Sequence, residues 1–161
     1  TSSVVTSAAS FGQGSIEVTP LQITNLMTTI ANEGIMKGLS IVDGITSEDG
    51  TMIKAFNRPE ERGVISREAS IALKELLIDV VKNGTARSLD LSYLGGAAGK
   101  TGSAQAVLNS KETIHGWFAG FFPEKEPKYV ITILVEEGVS GAKSAVPIFD
   151  KLAREINKIN H

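Results

Sequence analysis

The chain has 161 residues, 42% hydrophobic and 21% charged, a balance that fits one folded domain or a large piece of one and carries no disorder signature. Its net charge of −2 argues against a nucleic-acid partner and against polybasic attraction to an anionic membrane surface. It has no cysteine, which excludes disulfides and thiolate metal sites, and no apolar run approaches the ~20 residues that span a bilayer.

The opening Thr1-Ser2-Ser3-Val4-Val5 has no Met, no basic n-region and no signal-peptide core, so the sequence reads as a segment whose export or anchoring signal, if any, lies upstream. A first helix is expected at Thr19-Pro20, where Thr19 caps and Pro20 suits the first helical position. Ile23, Leu26, Met27, Ile30 and Ala31 form one apolar stripe on it, and Gly34 stops it. Residues 35–56 are Gly-rich and mixed, and predict a small strand pair or an extended surface loop. A second helix starts at a Ser66 cap, buries Ala69, Leu73, Leu76, Leu77, Val80 and Val81, and ends at Asn83-Gly84. Three strands are expected over residues 97–107, 113–122 and 129–136. The polar segments Asn109-Ser110-Lys111-Glu112 and Pro123-Glu124-Lys125-Glu126-Pro127 separate them. A third helix follows Pro147, with Ile148, Leu152, Ile156 and Ile159 on one face.

Short connections favour antiparallel hairpins, so the fold class is α+β, a meander sheet flanked by helices. Val130-Ile131-Thr132-Ile133-Leu134-Val135 is nearly all apolar, as in a strand covered on both faces. The 97–107 strand is expected at an edge, where a bare rim invites pairing with a second copy or masking by residues 1–11.

Lys100-Thr101-Gly102-Ser103 is the most informative stretch. It combines an ammonium, two hydroxyls and backbone N–H groups beside a glycine, the makings of an anion site at which a peptide backbone could add to the strand. Taken alone it reads better as a solvated lysine in a hairpin, because short motifs recur by chance.

The context favours the first reading. Ala98-Gly99-Lys100-Thr101-Gly102-Ser103-Ala104-Gln105 resembles the Lys-Thr-Gly element of penicillin-binding proteins. Gly12-Gln13-Gly14, Val18-Thr19-Pro20-Leu21-Gln22 and Ala31-Asn32-Glu33-Gly34 are similar to segments that precede it in that family. His115-Gly116-Trp117-Phe118-Ala119-Gly120-Phe121 and Ala145-Val146-Pro147-Ile148-Phe149 are similar to segments that follow. The likeness covers essentially all of residues 1–161, in order, and resembles the monofunctional (class B) group. It implies the C-terminal part of a β-lactamase/transpeptidase-like domain within a peptidoglycan D,D-transpeptidase at the extracytoplasmic face of the bacterial membrane. By this resemblance Lys100, Thr101 and Ser103 would hold the carboxylate of a D-alanyl-D-alanine stem peptide or a β-lactam. The Ser103 backbone N–H would form half of an oxyanion hole. No cofactor or metal is implied.

The family's Ser-x-Asn is absent, and the one Ser-x-x-Lys, Ser140-Gly141-Ala142-Lys143, lies in a Gly-containing loop after Lys-Thr-Gly. A nucleophile needs its lysine one turn away on a buried helix, so Ser140 is read as a chance match. The nucleophile and the N-terminal remainder of the domain are therefore expected outside this chain, which alone should be inactive. His115 is read as structural, Glu136-Glu137 as pointing to opposite faces, and Trp117, Phe118, Phe121 and Phe122 as packing. A penicillin-fold sensor or scaffold and a serine β-lactamase remain the alternatives.

Overall fold

In α1 (Pro20–Ala31) both halves of a capping box are present: the Thr19 hydroxyl accepts from the Gln22 amide at 3.2 Å, and the Gln22 side chain accepts from the Thr19 amide at 2.8 Å. The computed structural model describes residues 16–57, 59–108 and 110–159. The expected Gly12-Gln13-Gly14 segment and a 1–11 mask lie outside them. Met27 and Ile30 are buried as the stripe requires, whereas Leu26 is half exposed. The chain leaves the helix through Glu33 at φ +54° and Gly34 at φ +92°, so the stop is shared between two left-handed residues.

The last carbonyls of a helix lack partners within it. Here α2 (Arg67–Lys82) supplies them. The fully buried Ser70 hydroxyl donates to the Ile30 carbonyl at 2.8 Å, and the Lys74 ammonium donates to the Ala31 carbonyl at 3.3 Å. The Ser66 hydroxyl caps α2 by accepting from the Ala69 amide. Leu77 and Val81 are buried, but Ala69, Leu73 and Leu76 face outward, contrary to expectation. Between α1 and α2 lie two small antiparallel pairs: β1 (Ile35–Met36) with β4 (Arg62–Gly63), and β2 (Gly44–Thr46) with β3 (Met52–Ala55). A small strand pair or an extended loop was expected over residues 35–56, and two pairs form, β4 lying beyond that range.

The main sheet is an antiparallel meander of β5 (Ala98–Leu108), β6 (Lys111–Phe122) and β7 (Tyr129–Val135), in the order β5-β6-β7. The expected break at 109–112 does not extend to Lys111 and Glu112, which belong to β6 and pair with Leu108 and Val107, and Ser110 before them has φ +63°. Among the described residues β7 pairs only with Gly116–Phe122, so Ala104–Leu108 and Lys111–His115 continue beyond it as a two-stranded ribbon. β7 is packed on both faces, as expected, Ile131, Ile133 and Val135 against the cluster that contains Phe149 and Val130 against the one that contains Met27 and Ile30, and its residues are half-buried throughout.

Alternation along β6 divides the core into two. Phe118 and Phe122 enter one cluster with Val81, Ala86, Leu91, Ala97, Val146 and Phe149. Ala119 and Phe121 enter the other with Met27, Ile30, Leu77 and Ala98. In the first, the Phe149 ring meets Phe118 edge-on at 4.8 Å between centroids.

Phe149 belongs to α3 (Val146–Ile159), which a π-helical turn (Gly141–Ala145) introduces ahead of Pro147, earlier than expected. The buried face of α3 is Val146, Phe149 and Ala153, with Ile156 packed alongside. Ile148, Leu152 and Ile159 of the expected stripe are exposed. Arg154 ties α3 to the 3₁₀ turn Ser92–Leu94. Its guanidinium donates to both Asp150 oxygens at 2.8 and 2.9 Å, to the Tyr93 hydroxyl at 2.9 Å and to the Asp90 carbonyl at 3.0 Å.

Candidate functional site: the outer edge of β5

Lys100, Thr101, Gly102 and Ser103 lie together on β5, whose only strand partner among the described residues is β6. The edge position expected of the 97–107 strand is therefore observed among the described residues. Lys100 and Ser103 are exposed, and Thr101 and Gly102 are half-buried. The Lys100 ammonium donates to the Thr101 carbonyl at 2.8 Å, which puts that carbonyl and the positive charge on the outer side of the strand. In an antiparallel ladder every second residue points its amide and carbonyl the same way, so Ser103 shares the outward direction of Thr101.

The strand is held from the side of α3 at this point. The Ser103 hydroxyl accepts from the Gly141 amide at 3.2 Å, so the first residue of the π-helical turn is fastened to the site. A Cβ on Gly141 would fall 2.5 Å from the Gly102 carbonyl oxygen and 2.9 Å from its nitrogen, so only glycine lets the turn lie on the strand. Single π-helical turns inside helical segments are frequent at functional sites. A second contact comes from the loop after α2, where Thr85 Oγ1 lies 2.6 Å from Thr101 Oγ1. Sequence reasoning missed both supports: Asn83-Gly84 carried only a helix-stop signal with nothing to single out Thr85, and Gly141 was read as part of a Gly-containing loop.

The other candidates separate from this edge. Ser140 caps the π-helical turn, its hydroxyl accepting from the Lys143 amide at 3.2 Å, and no helix carries the pair as a nucleophile and its base. His115 is half-buried opposite Ala104, and its Nδ1 accepts from the Glu137 amide at 3.4 Å, the structural role expected of it. Phe118, Phe121 and Phe122 are buried and Trp117 is half-buried.

A family model for the penicillin binding protein transpeptidase domain matches residues 1–154. The chain belongs to the penicillin-binding protein transpeptidase family. It is 28% identical over 150 residues to the peptidoglycan D,D-transpeptidase PbpA of Mycolicibacterium smegmatis, covering 87% of this chain and 29% of that protein. It is 32% identical over 178 residues to the peptidoglycan D,D-transpeptidase MrdA of Acinetobacter baumannii, covering 96% of this chain and 25% of that one. Among solved structures, penicillin-binding protein A of M. tuberculosis in its ceftriaxone acyl-enzyme complex superposes with a TM-score of 0.79 at 27% identity, over 91% of this chain and 34% of that one. This transpeptidase-family chain thus spans between a quarter and about a third of the relatives named, and its α+β arrangement is that of penicillin-binding transpeptidase domains. Among the described residues no helix is long and apolar enough to cross a membrane.

Proposed function

We propose that this chain is the C-terminal part of the transpeptidase domain of a peptidoglycan D,D-transpeptidase, and that β5 is its substrate-binding strand. The observation that carries this reading is the outer edge of β5, where Lys100, Thr101 and Ser103 bring an ammonium and two hydroxyls to a strand with one side unpaired by any other strand among the described residues. A D-alanyl-D-alanine stem peptide, or a β-lactam in its place, adds alongside Gly102 and Ser103, and its carboxylate lies against Lys100 and the hydroxyls. The Ser103 N–H faces the carbonyl under attack and stabilises the oxyanion as the tetrahedral intermediate forms. A serine hydroxyl from the N-terminal remainder of the domain attacks that carbonyl and the terminal D-alanine leaves. An amine of a second stem peptide then takes the acyl group, which restores the serine. The reaction needs positioned donors and a base, and takes place on the extracytoplasmic face of the membrane. A second copy pairing along the same edge of β5 would compete with substrate.

The test is acylation by a fluorescent penicillin. The full-length protein is expected to form one covalent adduct on a serine outside residues 1–161, stable in a denaturing gel, and the 161-residue chain alone to form none. An adduct on Ser140, or no adduct on the full-length protein, would overturn the proposal. The latter outcome would instead describe a non-catalytic scaffold, and rapid loss of the adduct would describe a β-lactamase.

A further inference from the structure

Thr85 lies in the turn between α2 and the 3₁₀ segment, and its backbone is fixed on both sides. The Gly84 and Ala86 amides both donate to the Val80 carbonyl, at 3.1 and 3.2 Å, and the Arg87 amide donates to the Gly84 carbonyl at 3.2 Å. Ala86 is completely buried in the aromatic core beneath. A Cβ on Gly84 would fall 2.9 Å from both the Cα and the oxygen of Val80, so this turn cannot relax around a larger residue. The Thr85 hydroxyl is thus presented from a rigid base to the Thr101 hydroxyl 2.6 Å away, across 16 residues of sequence.

Each hydroxyl has one hydrogen to donate and two lone pairs that accept. If Thr101 gives its hydrogen to a substrate carboxylate, the hydrogen between the two threonines has to come from Thr85. The order is then fixed: Thr85 O–H to Thr101 Oγ1, and Thr101 O–H to the carboxylate, each bond polarising the next. We propose that Thr85 is a positioning residue of the carboxylate site, turning the Thr101 hydrogen outward and strengthening it as a donor without touching substrate itself. The inference rests on the reading of Thr101 as a carboxylate ligand.

The experiment compares second-order rate constants of penicillin acylation in the full-length protein and in its Thr85→Val, Thr85→Ser, Thr101→Val and double-valine variants, with thermal unfolding of each. Loss of one such hydrogen bond corresponds to a fall of about tenfold for Thr85→Val. Thr85→Ser is expected to keep the wild-type rate, and the double-valine variant to be no slower than Thr101→Val alone. With a penicillin methyl ester, which lacks the carboxylate, wild type and Thr85→Val should acylate alike. A hydroxyl pair that merely pinned α2 to β5 would lower the melting temperature without that dependence on the carboxylate. An unchanged rate in Thr85→Val beside a slowed Thr101→Val overturns the positioning role alone. An unchanged rate in Thr101→Val overturns the carboxylate reading, and this inference with it.

Discussion

Lys100→Ala in the full-length protein is expected to slow acylation by penicillin about tenfold to a hundredfold, the loss of a charge-assisted contact worth ~1.5–3 kcal/mol. The Lys100 side chain is exposed and its hydrogen bond is to the carbonyl of its own neighbour, Thr101, so its removal leaves both cores intact. The melting temperature should therefore stay near that of the wild type while the rate falls. Because the contact is between an exposed ammonium and an anion, added salt should narrow the gap between wild type and variant. A Lys100→Ala protein that acylates at the wild-type rate would remove Lys100 from the site.

The largest effect on stability is expected at Phe149, which is fully buried and meets Phe118 at 4.8 Å and Phe122 at 6.1 Å between ring centroids. Phe149→Ala would lose that burial and leave a cavity under the centre of the sheet, costing ~3–5 kcal/mol. Leu152, three residues on and 40% exposed, provides the control. Leu152→Ala should cost much less, because its side chain leaves no enclosed void. Urea unfolding of the two variants checks this. Equal losses would mean that α3 presents a different face to the sheet than the one described.

That comparison marks where the sequence was legible and where it was not. Thr19 and Ser66 were readable as caps because capping is chemistry between residues three apart, and both hydroxyls do accept from the expected turn. Strand order was readable because short connections leave little choice but neighbouring antiparallel strands. The face of α3 was not. Val146, Phe149, Ala153 and Ile156 make one apolar stripe, and Ile148, Leu152 and Ile159 make a second. Periodicity cannot choose between two stripes, since the choice depends on Phe118 and Phe122 across the interface. The site divides in the same way. Lys100 to Ser103 form a contiguous motif and could be found by eye, whereas Thr85 and Gly141 reach it only through tertiary structure. Ser70 was missed for the same reason, its acceptor being a carbonyl at the end of another helix.

The ribbon of β5 and β6 that outruns β7 has a mechanical consequence. It consists of the five pairs from Ala104–His115 to Leu108–Lys111, and it leaves the three-stranded sheet at the Ser103–Gly116 pair. At ~3.4 Å per residue it is an arm about 17 Å long, with Ser103 at its fulcrum. A displacement of about 3 Å at the tip turns such an arm by about 10°, the lower end of the 10–20° tolerance within which a binding constellation keeps its geometry. The Gly141 amide on the Ser103 hydroxyl is the brace at that fulcrum, so the load of the arm and the alignment of the proposed substrate strand meet in a single residue.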